Sequence, residues 1–388
     1  MAISTIEERL GLIDTKNDRV SNQRFTLLVL KRREQISYYS AQLDSLFSET
    51  LVPSTVRWPL LESWLLYNPE VEPMGILIWN NQHLIAAGLF ALKYGNGFCR
   101  ITKIGVEGEP YGLGARDARA SDLLGEGLRK ALQAIGMPWF IYLPDLPDAD
   151  PIARAITKQL KPCELLTCSH SPQLWFDRQS GLNRYLSQNT RSAVAKAKNR
   201  IKGEGLTIDM QWMSEYGPIE KLMDEIVEVH RERNRQKRGH AILDDPSEAA
   251  LFRETVLIHA RAERIRLLTL RLTGSLAAFA IGVLDRGMLW IYANLASPNW
   301  LRYSPGTIIN AEVVRSAYSN PTIKGVNWGP GLLRYKMSGD VKLIPSLKLM
   351  GWSSWPTRLA WLGRNTIRRV RNKISQSFSS ETPIDTDS

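Results

Sequence analysis

Cysteine is scarce in this sequence. Its 388 residues include three, Cys99, Cys163 and Cys168, an odd number with no zinc-like spacing around any of them. That argues against a disulfide framework, and the five scattered histidines (His83, His170, His230, His240, His259) add no metal-ligand pattern. The thiols are expected to be buried structural groups in a reducing cytoplasm, and no metal is expected. Long hydrophobic runs are missing too. The longest, Ser275 to Leu284, ends against Asp285 and Arg286, far short of the roughly 20 apolar residues that a membrane span needs. Residues 1–19 have no apolar signal core, which predicts no export.

Acidic residues are outnumbered. Fifty Lys and Arg face 39 Asp and Glu, for a net charge of +11. An anionic partner is implied, whether a phosphorylated small molecule, nucleic acid or a membrane surface. Hydrophobic residues make up 44% and charged residues 23% of the chain, the profile of a folded globular protein. The length suits two cores rather than one.

The order of elements is written twice. In the first half a strand (Phe25 to Leu30) and a helix near Ser37 to Phe47 lead into strands Gly75–Trp79, Leu84–Lys93 and Phe98–Ile104. A polar loop, a helix from Ala118 to Gln133 and a strand Trp139–Leu143 follow, then a helix from Ile152 to Leu160. The second half opens with a basic helix, Leu182 to Lys202, then a strand Leu206–Trp212 and helices Pro218–Gln236 and Pro246–Glu263. Strands Ile265–Leu272, Leu276–Leu284 and Met288–Leu295 come next, then a loop, the helix Thr307–Tyr318, the strand Gly325–Trp328 and a last strand Ser346–Met350. Strands, loop, helix and strand recur around 75–143 and 265–328, which predicts a duplicated α/β fold.

The segment Arg302-Tyr303-Ser304-Pro305-Gly306-Thr307 follows an apolar strand and opens a helix. A helix start of small residues exposes backbone N–H groups at the positive end of the helix dipole, which suits a pyrophosphate; it is equally an ordinary N-cap. Gly306 lets a phosphate approach the backbone, and Pro305 fixes the first turn. The candidate phosphate-binding residues are therefore Arg302, Ser304, Gly306, Thr307 and Ile308.

This segment, with Val326-Asn327-Trp328-Gly329-Pro330-Gly331 and Tyr335-Lys336 downstream, resembles the GNAT acyltransferases, in particular the branch associated with cellulose and polysaccharide biosynthesis. The basic helix carrying Arg191, Lys196, Lys198, Arg200 and Lys202 resembles that branch's opening helix. The resemblance covers about residues 175–350 well and 55–170 in outline. It implies two tandem GNAT-like domains with mixed sheets flanked by helices. A lead strand and helix would occupy 1–50, a degenerate GNAT-like domain 51–172, an acyl-CoA-binding domain 173–350, and a basic amphipathic helix with a disordered tail 351–388.

The implied activity is transfer of an acyl group, acetyl or longer, from acyl-CoA to a small amine, including a sugar or polysaccharide precursor. Tyr335 is the candidate acid for the departing thiolate, with Tyr292 in reserve; each is equally a core tyrosine. Lys336 would bind phosphate or substrate. Asn327 stands where the family carries Asp, and an amide cannot take a proton from the attacking amine, so a positioning role is expected for it. Two rival readings belong to other classes. One is an aminoacyl-tRNA-dependent transferase of the peptidoglycan cross-bridge type, whose tRNA would also account for the positive charge. The other is a non-catalytic membrane-surface adaptor on this fold.

Two basic stretches remain. Arg231, Arg233, Arg235, Lys237 and Arg238 close a predicted helix, where cations suit the dipole. In Arg358 to Lys373, Leu359, Leu362, Val370 and Ile374 form one face and Arg364, Arg368 and Arg371 the other, with Trp361 on the basic side. Such a helix lies on the anionic inner face of a membrane or packs its stripe on the domain.

Overall fold

The computed structural model describes residues 25–95, 97–105 and 111–363. The chain begins with β1 (Phe25–Leu30), α1 (Arg33–Tyr38), α2 (Ser40–Glu49) and α3 (Trp58–Tyr67). Three antiparallel strands follow, β2 (Glu72–Asn80), β3 (His83–Gly95) and β4 (Phe98–Lys103), then the short β5 (Leu113–Ala115). Helix α4 (Ala118–Gln133) crosses to β6 (Trp139–Pro147), which runs parallel to β4 with Cys99 opposite Trp139 and Ile101 opposite Ile141. Helix α5 (Pro151–Gln159) and the long strand β7 (Cys163–Trp175) close the first half.

The second half repeats the series. After α6 (Gln188–Gly203), β8 (Ile208–Met213), α7 (Tyr216–Arg238) and α8 (Pro246–Arg261) come the antiparallel strands β9 (Ile265–Leu272), β10 (Ser275–Asp285) and β11 (Met288–Ala296). Helix α9 (Pro305–Ser319) crosses to β12 (Gly325–Asn327), parallel to β11, and β13 (Val341–Trp352) ends the sheet. The expected duplication is present.

The halves exchange their last strands. The sheet runs β1-β2-β3-β4-β6-β13-β7-β12-β11-β10-β9-β8, with β5 on β3. So β7, from the first half, lies against β12 of the second, with Trp175 opposite Gly325. β13, from the second half, lies against β6 of the first, with Trp352 opposite Phe140. The two exchanged strands pair with each other from Val341–Leu174 to Gly351–Cys163. The division expected between residues 172 and 173 falls inside β7.

Several sequence expectations change. The single helix near Ser37 to Phe47 is two, because Tyr39 leaves helical geometry between α1 and α2. The basic helix starts at Gln188, where Ser187 accepts the Thr190 N–H; residues from Leu182 form a 3-10 turn instead. Helix α3 and strand β7 were not anticipated, and β13 begins five residues before the predicted Ser346. Of the three thiols expected to be buried, Cys99 is, Cys163 is half-buried and Cys168 is exposed.

Helices α1–α3, α7 and α8 cover one face of the sheet, with α3 against α8; α4, α5, α6 and α9 cover the other. After β13, residues 355–363 form a helix. Its expected polarity is reversed. Trp361, placed on the basic side by the sequence, packs on Phe140 (ring centroids 4.9 Å apart) and Trp352 (5.7 Å). Trp355, Leu359 and Leu362 face solvent at 59%, 64% and 41% exposure. Residues 364–388, and with them the rest of the predicted stripe and the disordered tail, lie outside the described residues.

One buried group titrates in the mildly acidic range. His259 on α8 is buried, its Nδ1 has no hydrogen-bond partner, and burial with help from Arg264 pushes its pKa from 6.5 down to about 4. The folded chain binds this proton less readily than the unfolded chain. Stability is therefore expected to fall by on the order of 3 kcal/mol as pH drops from about 6.5 to about 4. Urea unfolding of His259→Gln across that window should show a flatter pH dependence than the parent; equal slopes would assign the acid sensitivity elsewhere.

Candidate active site

The centre of interest is where β11 and β12 part. They pair at Met288–Gly325, Leu289–Val326 and Trp290–Asn327 and no further. Beyond that point the Trp328 N–H donates to Pro172 O on β7, so the chain after β12 follows the exchanged strand and leaves β11. On β11 the register with β10 jumps from Ile291–Gly282 to Ala293–Ile281. Tyr292 is thus the extra residue of a β-bulge on β11, at which the ladder with β10 is locally interrupted.

Asn327 sits at the parting and is 1% exposed. Its Oδ1 accepts the Gly329 N–H at 2.8 Å, which fixes the amide's orientation. Its Nδ2 is buried without a partner. A buried donor left unsatisfied costs about 1–3 kcal/mol, and native folds keep few of them. Tyr335, on the 3-10 turn Arg334–Met337, donates its hydroxyl to Asn294 Oδ1 at 3.2 Å and packs edge-on against Trp328. Asn294 on β11 in turn donates Nδ2 to Asn310 Oδ1 on α9 at 2.9 Å. Burial raises the Tyr335 pKa above its usual 10.0, partly offset by the Asn294 bond. Tyr292 stacks on Phe252 of α8.

Lys336 is 7% exposed, and its Nζ donates to Pro330 O at 2.7 Å. Burial lowers its pKa below the usual 10.5. It sits in the wall of the central cavity, which none of residues 302–308 lines. The structure therefore places it apart from the helix start with which it was grouped.

That helix start is built as the sequence suggested, with one change. Ser304 adopts a left-handed conformation (φ 52°), Pro305 is the first helical residue, and no side chain caps α9. Ser304 is exposed, Gly306 and Thr307 are half-buried, and Ile308 is buried, so Ile308 can offer a ligand only its backbone. Arg302 turns away to another partner. Its guanidinium holds Glu204 of the α6 end at 2.6 Å and lies over the Tyr303 ring. The equivalent start in the first half is closed: Asp117 accepts the Ala120 N–H of α4 at 2.7 Å.

A cavity of about 850 Å³ joins the halves. Trp290, Tyr292, Asn294, Asn327, Trp328 and Lys336 line it from the second half. Ser171 and Gln173 of β7 and Ile344–Ser346 of β13 line it from the exchanged strands. The end of β6, with Asp145, and the turn from it to α5, with Asp148 and Asp150, close it from the first half, and Glu248 stands at the start of α8. The carboxylates of that turn escaped the sequence reading, in which Pro144, Pro147 and Pro151 marked only a break. Nothing local tied them to a site some 180 residues downstream. No metal-binding cluster occurs among the described residues.

Residues 188–337, from the start of α6 to the turn that carries Tyr335 and Lys336, match the family model of the acetyltransferase (GNAT) domain. Among solved structures, the C-terminal domain of a putative lysylphosphatidylglycerol synthetase from Agrobacterium fabrum is similar at 11% identity. That match covers 85% of this chain and 97% of that one, with a TM-score of 0.52. FemX is similar at 8% identity, covering 79% and 95%, with a TM-score of 0.53. A conserved protein of unknown function from Bacteroides thetaiotaomicron aligns at 13% identity, covering 80% and 96%, with a TM-score of 0.52. No curated protein sequence matches the chain. Identities this low speak to fold. The chain is an enzyme of the acyltransferase class. It is built as two tandem GNAT-like halves, and its second half carries the GNAT acetyltransferase domain.

Proposed function

We propose that the chain transfers an acyl group, acetyl in the first instance, from acyl-CoA to a primary amine at the parting of β11 and β12. The observation that carries this reading is the orphaned, orientation-locked Nδ2 of Asn327 at the strand parting, with the bulge at Tyr292 on the facing strand β11 and the Tyr335 hydroxyl held by Asn294 of that same strand. The donor's pyrophosphate would rest on the uncapped start of α9 at Ser304–Ile308. The first half, whose matching helix is capped by Asp117, is read as a degenerate copy that shapes the acceptor side.

Acyl-CoA supplies an activated thioester carbon and a thiolate leaving group. As the amine nitrogen bonds to that carbon, charge grows on the carbonyl oxygen; Asn327 Nδ2 and the bulged backbone at Tyr292 are the donors for it. As the carbon–sulfur bond breaks, Tyr335 Oη protonates the thiolate. Asn327 cannot take the proton that the amine gives up, so water in the cavity takes it, and the amine must arrive neutral. The polysaccharide-associated branch, which the Asn327 and Tyr335-Lys336 segments resemble, would favour a sugar amine.

Calorimetry with acetyl-CoA tests the donor site. A Cβ at Gly306 would meet only Ala296, at 3.7 Å, so the fold should accept Gly306→Val. Its bulk over the helix start is expected to weaken binding about tenfold or more, roughly 1.4 kcal/mol. Unchanged affinity would remove the pyrophosphate from this position.

A second reading rests on the exposed Trp355, Leu359 and Leu362. Residues 351–380 contain Arg358, Arg364, Arg368, Arg369, Arg371 and Lys373 and no acid. At about 1 kcal/mol per basic residue near an anionic surface, this segment would hold the enzyme peripherally on the inner face of a membrane. No helix among the described residues is long and apolar enough to cross one. Cutting the chain after Pro356 would strip Trp361 from Phe140 and Trp352, so Trp355→Ala with Leu359→Ala is the better variant. It should lose flotation with phosphatidylglycerol vesicles at low salt; equal flotation, or none by the parent, would remove the membrane from the reading.

A further inference from the structure

We infer that the acceptor is a compact amine carrying a second positive charge and no phosphate, with that second charge held by Asp145 at the first-half end of the cavity. This rests on the amine-transfer reading above and narrows it to a substrate class. Among the described residues, the ionisable groups on the cavity wall besides Tyr111 and Tyr292 are Asp145, Asp148, Asp150, Glu248, His230 and Lys336, with no arginine among them. In a chain of net charge +11, an acid-lined cavity runs against the prevailing field.

The carboxylates are not equivalent. Asp150 is committed to the α5 start, where Oδ1 accepts the Ile152 and Ala153 N–H groups. Asp148 and Glu248 are exposed at the rim. Asp145 is half-buried within β6, with a left-handed backbone (φ 60°) at the point where the register with β13 shifts. Its Oδ1 accepts the Ser169 hydroxyl at 3.0 Å, and Ser169 lies 3.1 Å from the Ser346 hydroxyl, so the exchanged strands β7 and β13 both orient it. No Lys or Arg of the described residues forms an ion pair with Asp145. Lys336, the one lysine on the wall among the described residues, is held by the Gly329 and Pro330 carbonyls and forms no ion pair there.

Independent of these charges, the same wall holds two buried donors without partners, Asn327 Nδ2 and Trp328 Nε1, on residues 1% and 4% exposed. They mark the end where the reacting group must sit. The register gives the spacing. Asn327 lies opposite Gln173, and Ser169 is four residues back along β7, on the order of 13 Å at about 3.3 Å per residue. An acceptor with its reacting amine near Asn327 and a cation near Asp145 therefore spans roughly that distance less the side-chain reach. A linear diamine or a diamino sugar meets this description. A phosphorylated sugar or a nucleotide would bring its anion to the carboxylates.

The test uses the full chain, acetyl-CoA and matched acceptors: 1,8-diaminooctane against 8-amino-1-octanol, and glucosamine against glucosamine 6-phosphate. The diamine should exceed the amino alcohol at least tenfold in kcat/KM, and the phosphate should depress glucosamine turnover. Asp145→Asn is the chosen variant, because asparagine tolerates the left-handed backbone and can keep the Ser169 bond. It should raise KM for the diamine about tenfold and leave the amino alcohol and acetyl-CoA affinity unchanged. Equal use of diamine and amino alcohol, preference for the phosphate, or an Asp145→Asn effect shared by all acceptors would overturn the inference. Failure to bind acetyl-CoA would instead overturn the donor reading. In that event, calorimetry of 1,8-diaminooctane on parent and Asp145→Asn still decides the acceptor: selective loss of binding supports it, and equal or absent binding refutes it.

Discussion

Tyr335→Phe should lower kcat about a hundredfold or more, since removing a general acid costs on the order of 10²–10⁴ in rate. The substitution keeps the ring that packs edge-on against Trp328 and deletes the hydroxyl that donates to Asn294. Loss of one such bond costs about 1 kcal/mol of stability, too little to unfold the chain. Acetyl-CoA affinity should hold, which separates chemistry from donor binding. Because burial raises the Tyr335 pKa above 10.0, the acid stays protonated through the neutral and mildly alkaline range. The rate should therefore climb with pH as the acceptor amine loses its proton, with no fall from Tyr335 below about pH 10. Single-turnover rates within about twofold of the parent would reduce Tyr335 to a support for Asn294.

Gly325→Ala should be the most damaging small substitution in the sheet. A Cβ at this position would lie 2.2 Å from Leu174 O and 3.1 Å from the Met288 side chain. The first contact is with backbone, on the strand that the first half lends to the second, so no rotamer change relieves it. Either β12 leaves β7 or the parallel register with β11 shifts, and overpacking of this kind costs about 3 kcal/mol. Asn327 follows two residues later, so activity should fall with stability. Urea unfolding and acetyl transfer measured on the same protein check both. A midpoint unchanged from the parent would mean that β7 does not seat against Gly325 in solution.

Where local pattern decides structure, the sequence was legible. The α4 helix runs from Ala118 to Gln133 as its leucine spacing required, with Asp117 as the cap. Strand β9 spans Ile265–Leu272 as its near-continuous apolar run implied. β7 was hidden for a physical reason. Its first half mixes Leu165 and Leu166 with Glu164 and Thr167, with no residue fully buried, and Pro172 interrupts it; the strand is held by backbone pairing to partners that the other half supplies. α3 was hidden by the opposite fault: Trp58–Tyr67 is apolar on most sides and lacks a capping side chain. In the site, Asn327 and Tyr292 line the central cavity near the β11–β12 parting, whereas Tyr335 is not among the residues that line it and is held by Trp328 and Asn294. The pairing of Arg302 with Glu204 was hidden because that carboxylate ends a helix about a hundred residues earlier. Asp145 was invisible as a site residue because its role depends on an exchange of strands that no local periodicity records.

That exchange also has a history in each molecule's synthesis. When β6 leaves the ribosome at Pro147, its outer edge has no partner until β13 emerges about two hundred residues later. At 5–20 residues per second, the gap lasts on the order of 10–40 s. Throughout it the first half presents an open strand edge beside a hydrophobic layer that still lacks Leu349, the condition that favours pairing with the wrong chain. β7 follows β6 within the same half and is the natural stand-in, able to occupy that edge and then yield it when β13 arrives. A nascent chain halted before Val341 should therefore hold a sheet of different strand order from the finished enzyme, and completing the fold would mean breaking pairs already made.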